Sequence, residues 1–378
     1  MRAVSRRFLF VGAIATATCA ATTVPSLADH EIRLIDVSAA NGTAIPGQYI
    51  VTLRQGTSAP DTAGRNRITT LRRFDAAVLN GFAARLTSGQ LAALRRDPGV
   101  AAIEQDQIAT ITTTQGNPLP YGLDRIDQRS LPLSKAYTYS ARGTGVNAYV
   151  IDSGIYTGHT EFGGRAKIAH DALGGNGQDC NGHGTHVAGI IGAKTYGVAK
   201  NVNLWAVRTL DCAGSAPYST VIAAVNWVRL NAKKPAVANL SLGGPKSDAV
   251  NTAITNLSKS GVFVAVAAGN DGKNACNTTP ASAGWVQAVG ATDSGDYRKS
   301  WSSYGGCVDI HAPGSNIWSA YIGSTTATKA LSGTSMASPY VAGVAALYKS
   351  AKGDASFPTI QQWLNTNATA SKIKSLPS

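Results

Sequence analysis

The chain has 378 residues, of which 44% are hydrophobic and 40 are glycine, and its formal net charge is +13. This length exceeds one typical domain, and the composition suits a well-buried α/β core with many tight turns. The positive charge is spread along the chain without a basic run interleaved with aromatic residues. It therefore argues against nucleic-acid binding and favours a solvated basic surface.

The first 28 residues have the pattern of an export signal. Three arginines precede a short apolar core from Phe8 to Ala21, and Ser26-Leu27-Ala28 offers a small-residue cleavage site. The core is too short and too rich in Thr and Ala to span a bilayer, and no other segment could do so. The residues from Ser5 to Leu9 leave the general and the twin-arginine export routes both open. We therefore expect a secreted, extracellular product without a membrane segment.

Residues 29–114 alternate between strand and helix patterns and differ in composition from the remainder of the chain. The stretch from Thr110 to Asn117 is Thr/Gln-rich, lacks such a pattern and is predicted to be a linker. The predicted elements before it are a strand Gly47–Leu53, an Arg-rich and partly helical segment Thr62–Leu79, a strand Phe82–Leu86, an amphipathic helix Ser88–Arg96 with Ser88 as N-cap, and a strand Val100–Ile103 that runs into Glu104-Gln105-Asp106.

Downstream of the linker, apolar strands alternate with helices, as a parallel sheet covered on both faces requires. We therefore predict an α/β fold for this region. The predicted strands are Val146–Ile151, Val202–Val207, Ala236–Leu240, Val262–Ala267 and Trp285–Val289. The predicted helices are Thr185–Ile191, Ser219–Asn231, Asp248–Lys259, Met336–Lys349 and Thr359–Asn365.

Three element boundaries in this region carry candidate chemistry. Asp152 ends an apolar strand, His183 opens a small-residue helix between two glycines, and Ser335 lies on a Gly/Thr turn before an Ala/Val-rich helix. A hydroxyl at a helix N-terminus lies beside unpaired N–H groups and the positive end of the helix dipole, which suits a nucleophile next to a forming oxyanion. Each residue alone is more often a helix cap. Together, in the order acid, base, nucleophile, they indicate nucleophilic catalysis by serine.

The cysteines indicate an oxidising destination. Cys19 would leave with the signal, and the four that remain allow three disulfide pairings. They show no close paired spacing, and His183 and His186 have no third ligand nearby, so a zinc site is disfavoured. The four cysteines are Cys180, Cys212, Cys276 and Cys307.

The chain resembles the subtilisin-like serine proteases (subtilases), and within them the proteinase K branch and secreted bacterial enzymes of the aqualysin kind. The similarity runs from about Pro120 to Lys349. It includes YGLDRIDQRSLPL, GGNGQDCNGHGTHVAG, TYGVAKNVNLWAVRTLDC, PAVANLSLGG, VAVAAGND and LSGTSMASP. The resemblance implies a parallel-sheet subtilisin-like fold with helices on both faces, preceded by a small α+β propeptide domain. It also implies a secreted serine endopeptidase that works through an acyl-enzyme.

The resemblance also implies the role of each catalytic residue. Asp152 would be the orienting acid, His183 the general acid/base and Ser335 the nucleophile. Asn270 would donate its side-chain amide to the oxyanion, with the Ser335 backbone N–H as the second donor. Asn270 also follows an apolar strand at the same sheet edge, which supports this assignment independently.

Two short segments and one wall are expected to form the substrate cleft. Glycines at an exposed strand end let an extended peptide pair as an added strand. With a wall of small residues, the pocket for the residue before the cut is predicted to be roomy and uncharged, with a preference for apolar or aromatic side chains. No acidic residue in these segments would select Lys or Arg. The residues are Ser241, Leu242 and Gly243 on one edge, Gly214 and Ser215 on the other, and Ala267, Ala268 and Gly269 in the wall.

Disulfides and metal sites follow from the resemblance alone. It implies the pairs Cys180–Cys212 and Cys276–Cys307, structural Ca²⁺ and no organic cofactor. Oxygen ligands suit Ca²⁺. One site would use Asp309 with the backbone oxygens of Gly284 and Val286, and a second would use Asp124, Asp127 and Gln128.

The implied organisation is a zymogen. Residues 1–28 would be the signal peptide, 29–114 an inhibitory propeptide that is removed, and 115–378 the peptidase domain, with self-cleavage within Thr110 to Asn117. The alternative for the first region is an N-terminal domain retained in the product. Expected partners are protein and peptide substrates and the chain's own propeptide, with a monomeric enzyme.

Two departures and one rival interpretation remain. Tyr340 stands where the family commonly has His, and Ser338 replaces Thr, while the chain stops at Ser378, short of the usual ending. The rival is a catalytically silent subtilase-fold binding protein, against which the intact set Asp152, His183, Asn270 and Ser335 argues. An α/β-hydrolase esterase would need Gly-x-Ser-x-Gly and its serine first, so that interpretation fails.

Overall fold

The computed structural model describes residues 34–39, 44–110, 114–115 and 120–377, so the predicted export signal lies outside the described residues. Within these ranges, none of the helices is both long enough and apolar enough to cross a membrane. Residues 34–110 are called the N-terminal region, and residues 120–377, which the resemblance predicts to be a peptidase, are called the peptidase region.

The N-terminal region is a twisted sheet with short helices. The strand order is β1-β5-β2-β4-β3; β1 pairs parallel with β5 and the other pairs are antiparallel. The described elements, with one strand at the junction, are β1 Val37–Ser38, β2 Ala44–Leu53, α1 Ala59–Arg65, β3 Thr70–Phe74, α2 Ala76–Leu79, β4 Gly81–Arg85, α3 Ser88–Leu94, β5 Val100–Thr110 and β6 Thr114–Gln115.

Alternation along the strands gives this sheet two apolar faces. Successive side chains of a strand point to opposite faces. Val51 and Phe82 therefore pack with Leu94 in the region's own small core. Ile50 and Ala83, one residue away on the same strands, instead join a core cluster that belongs to the peptidase region. The N-terminal sheet is thus buried against the peptidase on its second face.

In this region the Arg-rich stretch is helical in part, as predicted, but it also contains an unpredicted strand, and the predicted N-cap of α3 was wrong. The Arg-rich stretch expected to be partly helical is α1, then strand β3, then the single turn α2; β3 forms because it pairs with β4 and buries Phe74. The N-cap of α3 is Thr87 rather than Ser88. The Thr87 hydroxyl accepts the Gln90 N–H, and the Gln90 side chain accepts the Thr87 N–H, which is a reciprocal capping box.

The peptidase region contains a seven-stranded parallel sheet in the order β16-β15-β13-β11-β7-β9-β8. Its described helices are α4 Tyr121–Ile126, α5 His183–Gly192, α6 Tyr218–Asn231, α7 Asp248–Lys259, α8 Thr334–Lys352 and α9 Phe357–Asn367. Its described strands are β7 Asn147–Asp152, β8 Ala166–Asp171, β9 Asn203–Arg208, β10 Ser215–Pro217, β11 Ala236–Leu240, β12 Gly244–Pro245, β13 Phe263–Ala267, β14 Thr278–Thr279, β15 Gln287–Thr292, β16 Ile310–Pro313, β17 Ile317–Ala320 and β18 Thr328–Ser332.

Helices cover both faces of this sheet, as predicted. On β7, Ala148 and Val150 face the core that contains α5 and α8, whereas Tyr149 and Ile151 face the core that contains α6 and α7. Both faces are dry, which explains why the strand is apolar at every position. Because helices cover both faces, the edge formed by the carboxyl ends of the strands is the open side of the sheet.

The sequence patterns missed several elements. The helix α4, the edge strands β8 and β16, and the β17–β18 hairpin were not predicted. The strand expected from Trp285 begins at Gln287, because Trp285 adopts a left-handed φ of 58° that a strand cannot contain. The helix expected from Met336 begins at Thr334, which brings Ser335 into its first turn.

The two regions meet through strand pairing on both sides of the junction. The end of β5 pairs antiparallel with β10, with Ile108 opposite Pro217 and Thr110 opposite Ser215. Beyond it, β6 pairs antiparallel with β18, with Thr114 opposite Ser332. The linker predicted over this stretch therefore contains strand on each side.

Candidate active site

Asp152 and His183 are joined by a short hydrogen bond. Asp152 is the last residue of β7 and His183 is the first residue of α5, and the His183 Nδ1 lies 2.7 Å from the Asp152 Oδ1. Both side chains are buried. The close approach of helix to strand depends on Gly184, since an added Cβ would lie 2.2 Å from the Gly154 carbonyl oxygen. Within the described part of the chain, the His183 Nε2 has no hydrogen-bond partner.

Ser335 is fixed to the end of β11 through Ser241. Pro339 has no N–H, so it cannot bond to the Ser335 carbonyl one helical turn earlier. The Ser241 hydroxyl donates to that carbonyl instead, at 2.8 Å, and accepts from the Asn239 amide at 2.9 Å. The Ser335 hydroxyl donates to the Ser241 carbonyl at 3.1 Å. The nucleophile predicted from sequence is thus held at the strand edge that carries Asp152.

Asn270 lies three residues beyond β13, at the same edge. Its Oδ1 accepts from the Thr334 N–H at 2.8 Å and from the Thr334 hydroxyl at 2.9 Å. The same hydroxyl accepts the Gly269 N–H at 3.1 Å. The amide oxygen is thus committed to Thr334, the residue that precedes Ser335.

The sheet order explains why these residues meet. Strands β7, β11 and β13 are neighbours, and their carboxyl ends carry Asp152, Ser241 and Asn270. Functional groups in parallel sheets gather at this edge because the loops that leave it are free to vary. The sequence analysis had placed these residues at the ends of apolar runs, and the resemblance had singled out Asn270.

A cleft of about 580 Å³ opens beside Ser335 and Asn270. Of the predicted substrate-binding residues, Ser241, Leu242, Gly243, Ala267 and Gly269 line it, while Ala268 is buried and does not. Gly214 and Ser215 belong to the opposing edge, where Ser215 pairs with the N-terminal region.

Sequence reasoning missed the charged residues of this cleft. Exposed Lys246, Asp271 and Lys273 also line it, together with Thr278 and Thr279. Asp271 and Lys273 directly follow the Asn270 motif, so their proximity could have been predicted from position alone. The cleft therefore carries exposed side chains of positive and negative charge beside the pocket that was expected to be uncharged.

Two carboxylates of the N-terminal region cap helices of the peptidase. Helix α6 follows Pro217, which has no side-chain acceptor, and the Asp106 Oδ1 accepts the Ser219 N–H there at 3.2 Å. The Glu104 carboxylate accepts the Ala249 N–H at 2.7 Å and the Ser247 hydroxyl at 2.6 Å, at the start of α7. Carboxylates are favourable at helix N-termini because of the free N–H groups and the dipole.

The residues predicted for the first metal site line one concavity. Gly284, Val286 and Asp309 surround a space of about 430 Å³. The Asp309 Oδ2 accepts the Ala288 N–H at 2.7 Å, and burial raises the pKa of this carboxyl. A partly desolvated carboxyl of this kind is one whose charged form a bound cation would stabilise.

The residues predicted for the second metal site hold the loop after α4. Asp124 accepts the backbone N–H groups of Ser134 and Lys135, at 2.9 and 2.6 Å. The Gln128 amide donates to the carbonyls of Ser130 and Pro132, at 2.6 and 2.8 Å. In the described part of the chain, the buried Asp127 Oδ1 has no hydrogen-bond partner.

Zinc ligation has no support here. His186 is fully buried, its Nε2 lies 3.0 Å from the carbonyls of Ile317 and of Lys329, and burial lowers its pKa to about 3. Among the residues that the structure describes, no group of three or more His, Cys, Asp or Glu side chains could hold a metal. His186 is therefore a neutral structural residue under the hairpin.

Both disulfides implied by the resemblance are present. Cys180 is bonded to Cys212, and Cys276 is bonded to Cys307, across sequence separations of 32 and 31 residues. The first lies beside the loop that leads into α5, and the second lies beside the loop that follows Asn270. Each therefore braces a loop next to the candidate site.

Comparison with known proteins agrees with this geometry. Residues 143–377 match the family described as "Subtilase family", and residues 48–112 match the one described as "Peptidase inhibitor I9". An extracellular serine proteinase of a Thermus species is 47% identical over 367 residues, which are 90% of this chain and 88% of that protein. Alkaline serine exoprotease A of Vibrio alginolyticus is 48% identical over 303 residues, 78% of this chain and 56% of that protein. The crystal structure of a cold-adapted subtilisin-like serine proteinase aligns with a TM-score of 0.66 at 49% identity, over 68% of this chain and 93% of that chain.

Proposed function

We propose, because this chain belongs to the subtilase family, that Asp152, His183 and Ser335 are the catalytic triad of a secreted serine endopeptidase made as a self-processing zymogen. The observation that carries the proposal is the 2.7 Å bond between the Asp152 Oδ1 and the His183 Nδ1, together with the bonds that hold Ser335 to Ser241 at the end of the adjacent strand. The family match and the I9 match support the same activity and the same N-terminal inhibitor.

The proposed reaction is acyl transfer through Ser335. The hydroxyl turns from the Ser241 carbonyl to the His183 Nε2, gives up its proton there and attacks the substrate carbonyl carbon. Asp152 keeps the proton on Nδ1 and stabilises the imidazolium that forms. The oxyanion receives the Asn270 side-chain N–H and the Ser335 backbone N–H, and loss of one such donor costs about 3 to 4 kcal/mol of transition-state stabilisation. His183 then protonates the leaving amine, and water releases the acyl group by the reverse steps.

The N-terminal region supplies the template for substrate binding. Its strand β5 lies antiparallel on β10, and an extended substrate would add to that edge with main-chain hydrogen bonds. The cleft between Ser241–Gly243 and Ala267–Gly269 supports broad specificity with an apolar or aromatic preference before the cut. A region that occupies this edge excludes other peptides, which supports its role as an intramolecular inhibitor.

The same pairing narrows the proposed maturation bond. Among the described residues, Thr110 is the last one paired on one side and Thr114 is the first one paired on the other. The cut is therefore proposed between Thr110 and Thr114, slightly before the division after residue 114 that the sequence suggests. The proposed organisation is otherwise unchanged: residues 1–28 as export signal, the propeptide after them, and the peptidase to residue 378, in a secreted monomer.

No organic cofactor is proposed, because triad chemistry needs none. Structural Ca²⁺ is proposed as a bound ion. Asp309 with the carbonyls of Gly284 and Val286 would hold one ion, supported by their shared concavity. Asp127, with Asp124 and Gln128, would hold a second, supported by the unpaired Asp127 Oδ1. Bound ions would neutralise these carboxylates and brace the loops that carry them.

The test compares secreted wild-type protein with Ser335→Ala by intact mass and N-terminal sequencing. Wild type is expected to begin between residues 111 and 114, and Ser335→Ala is expected to retain the N-terminal region. Ser350→Ala, a serine at the far end of the same helix, is the control and should mature normally. Identical trimming of wild type and Ser335→Ala, together with no hydrolysis of peptide substrates, would favour the silent binding protein.

A further inference from the structure

Asp179 is a buried carboxylate that accepts five hydrogen bonds. It lies in the loop between β8 and α5. The Oδ1 accepts from the Ser153 hydroxyl at 2.9 Å and from the N–H groups of Asn181 and Gly182, at 2.9 and 2.8 Å. The Oδ2 accepts from the Thr185 N–H at 2.8 Å and from the Thr185 hydroxyl at 2.6 Å. Both oxygens are thus fully used.

These bonds reach both elements that carry the proposed acid and base. Ser153 follows Asp152 directly at the end of β7. Thr185 lies in the first turn of α5, which begins at His183. The Ser153 hydroxyl also accepts the Gly184 N–H at 3.0 Å, so it links the strand end to the helix start as well as to Asp179.

An ordinary helix cap would not need this arrangement. A cap satisfies N–H groups of its own helix, as the bonds from Gly182 and Thr185 do. The Ser153 bond is different, because it ties the cap to a separate strand 26 residues earlier. The carboxylate thereby sets the distance between the two backbones on which Asp152 and His183 are mounted.

The loop that carries Asp179 is itself anchored on its far side. The next residue, Cys180, is bonded to Cys212, and the Asn181 amide donates to the Cys212 carbonyl at 3.0 Å. Asp179 therefore has a fixed position from which to hold Ser153 and Thr185. A second link runs from the Thr185 hydroxyl, which accepts the Tyr156 N–H at 2.9 Å.

We propose that Asp179 is a positioning residue, which acts through Ser153 and Thr185 to hold the Asp152–His183 pair in the geometry that proton transfer requires. This proposal rests on the proposed triad. Asp179 is not expected to touch substrate, so its effect should appear in the chemical step and not in substrate binding. Misplacement of catalytic groups by about 1 Å can cost about 100-fold in rate.

The test uses variants that cut the link and keep the carboxylate. Ser153→Ala removes the bond to the strand, Thr185→Val removes the hydroxyl bond, and Thr185→Ser restores it. We expect kcat on a short peptide substrate to fall by about 10- to 100-fold in Ser153→Ala and Thr185→Val, with KM changed by less than about 2-fold. Thr185→Ser is expected to keep most of the wild-type kcat.

A spectroscopic measurement separates positioning from general destabilisation. The proton between the His183 Nδ1 and Asp152 gives a far-downfield proton NMR signal, which should shift or broaden in Ser153→Ala and Thr185→Val. The matched control is Asn147→Ala, at the opposite end of β7, where the amide oxygen accepts the Trp205 indole N–H at 2.8 Å. This control should lower the melting temperature with kcat and the NMR signal unchanged.

The outcomes distinguish this proposal from the one on which it rests. Wild-type kcat and an unchanged downfield signal in Ser153→Ala and Thr185→Val would overturn the positioning role while leaving the triad intact. A loss of kcat in Asn147→Ala equal to that in Ser153→Ala would also overturn it, because stability alone would then explain the effect. An inactive, unprocessed wild type would instead overturn the proposed function.

Discussion

The N-terminal region and the peptidase region are stabilised in different ways. The peptidase has a parallel sheet buried on both faces, a core on each side and two disulfides. The N-terminal region has one small core and no disulfide among its described residues, and its second sheet face is covered only by the peptidase. Small domains bury a smaller fraction of their surface and are correspondingly marginal.

This difference teaches that the N-terminal region depends on the peptidase for its stability, while the peptidase receives a smaller contribution from it. The peptidase lacks a side-chain cap of its own on α6 and receives one from Asp106. Parallel sheets pair distant segments and fold slowly, so a surface that gathers the starts of α6 and α7 favours their assembly. The N-terminal region thus contributes helix-capping contacts to the fold of the peptidase as well as covering its substrate edge.

The largest expected effect comes from a matched pair of core truncations in the uncleaved Ser335→Ala chain. Phe82 and Phe263 are each fully buried, and Phe→Ala in a core costs about 3 to 5 kcal/mol. Phe82→Ala should unfold the N-terminal region while the peptidase stays folded, whereas Phe263→Ala should only lower the peptidase transition. Hydrogen exchange followed by mass spectrometry reports the two regions separately. Equal protection of residues 44–110 in both variants would contradict the comparison.

Removal of a disulfide should act on the peptidase alone. A bond that closes a loop of 31 residues is worth about 3 to 4 kcal/mol in the chain-entropy model. Cys276→Ser combined with Cys307→Ser should therefore lower the melting temperature of the mature enzyme clearly. Exchange protection of the N-terminal region in the uncleaved chain should be unchanged. Loss of protection in both regions would show that the two unfold as one unit.

Removal of calcium should have a smaller effect on the same region. A site saturated about 100-fold above its Kd adds about 2.7 kcal/mol. Chelation should lower the melting temperature of the mature enzyme, and Asp309→Asn should reduce that response. Asp293→Asn is a suitable control, because Asp293 lies outside both proposed sites. An unchanged melting temperature after chelation would remove calcium from the proposal.

The smallest effect is the pH dependence that Glu104 brings to the contact between the regions. Burial, reinforced by the nearby Asp248 carboxylate, raises the pKa of Glu104 despite hydrogen bonds from Ser247 and Ala249. The folded chain thus binds this proton at a higher pH than the unfolded chain does. Stability from this group is present below its unfolded pKa and is lost as pH rises through the raised value.

Urea unfolding of Ser335→Ala and of Ser335→Ala/Glu104→Gln, followed across mildly acidic pH, measures this dependence. The free energy of unfolding of the Glu104 chain should fall relative to the Gln chain as pH rises through that window. A constant difference between the two chains would mean that Glu104 binds its proton equally in both states.

The sequence predicted what is encoded locally. Asp152 lies where an apolar run stops, and His183 and Ser335 lie where small-residue helices begin; such boundaries are visible without a structure. The bond between the Ser241 hydroxyl and the Ser335 carbonyl was not predictable in this way, because it joins residues 94 positions apart. Its cause, the missing N–H of Pro339, is local, but the partner that compensates for it is not.

The errors in the N-terminal region have a similar origin. Thr87 and Ser88 are both good caps, and the side chain of Gln90 decides between them. The Arg-rich stretch has no strong pattern, and its strand depends on pairing with β4 and on contacts outside the region. One such contact is the Arg72 guanidinium, which donates to the Ala172 carbonyl at 2.6 Å. Partner surfaces of this kind cannot be read from periodicity.

The two pairings at the junction, β5 with β10 and β6 with β18, have a consequence for timing. Breaking a peptide bond between them does not vacate the cleft, because each new chain end keeps its own strand partner. If the proposed cut occurs there, its two products would compete with substrates for the cleft. Both new chain ends would have to dissociate after the proposed cut before another protein could enter the cleft. In the proposed maturation, the onset of proteolysis would therefore depend on how firmly the two new chain ends are held, and not only on how fast the bond is cut.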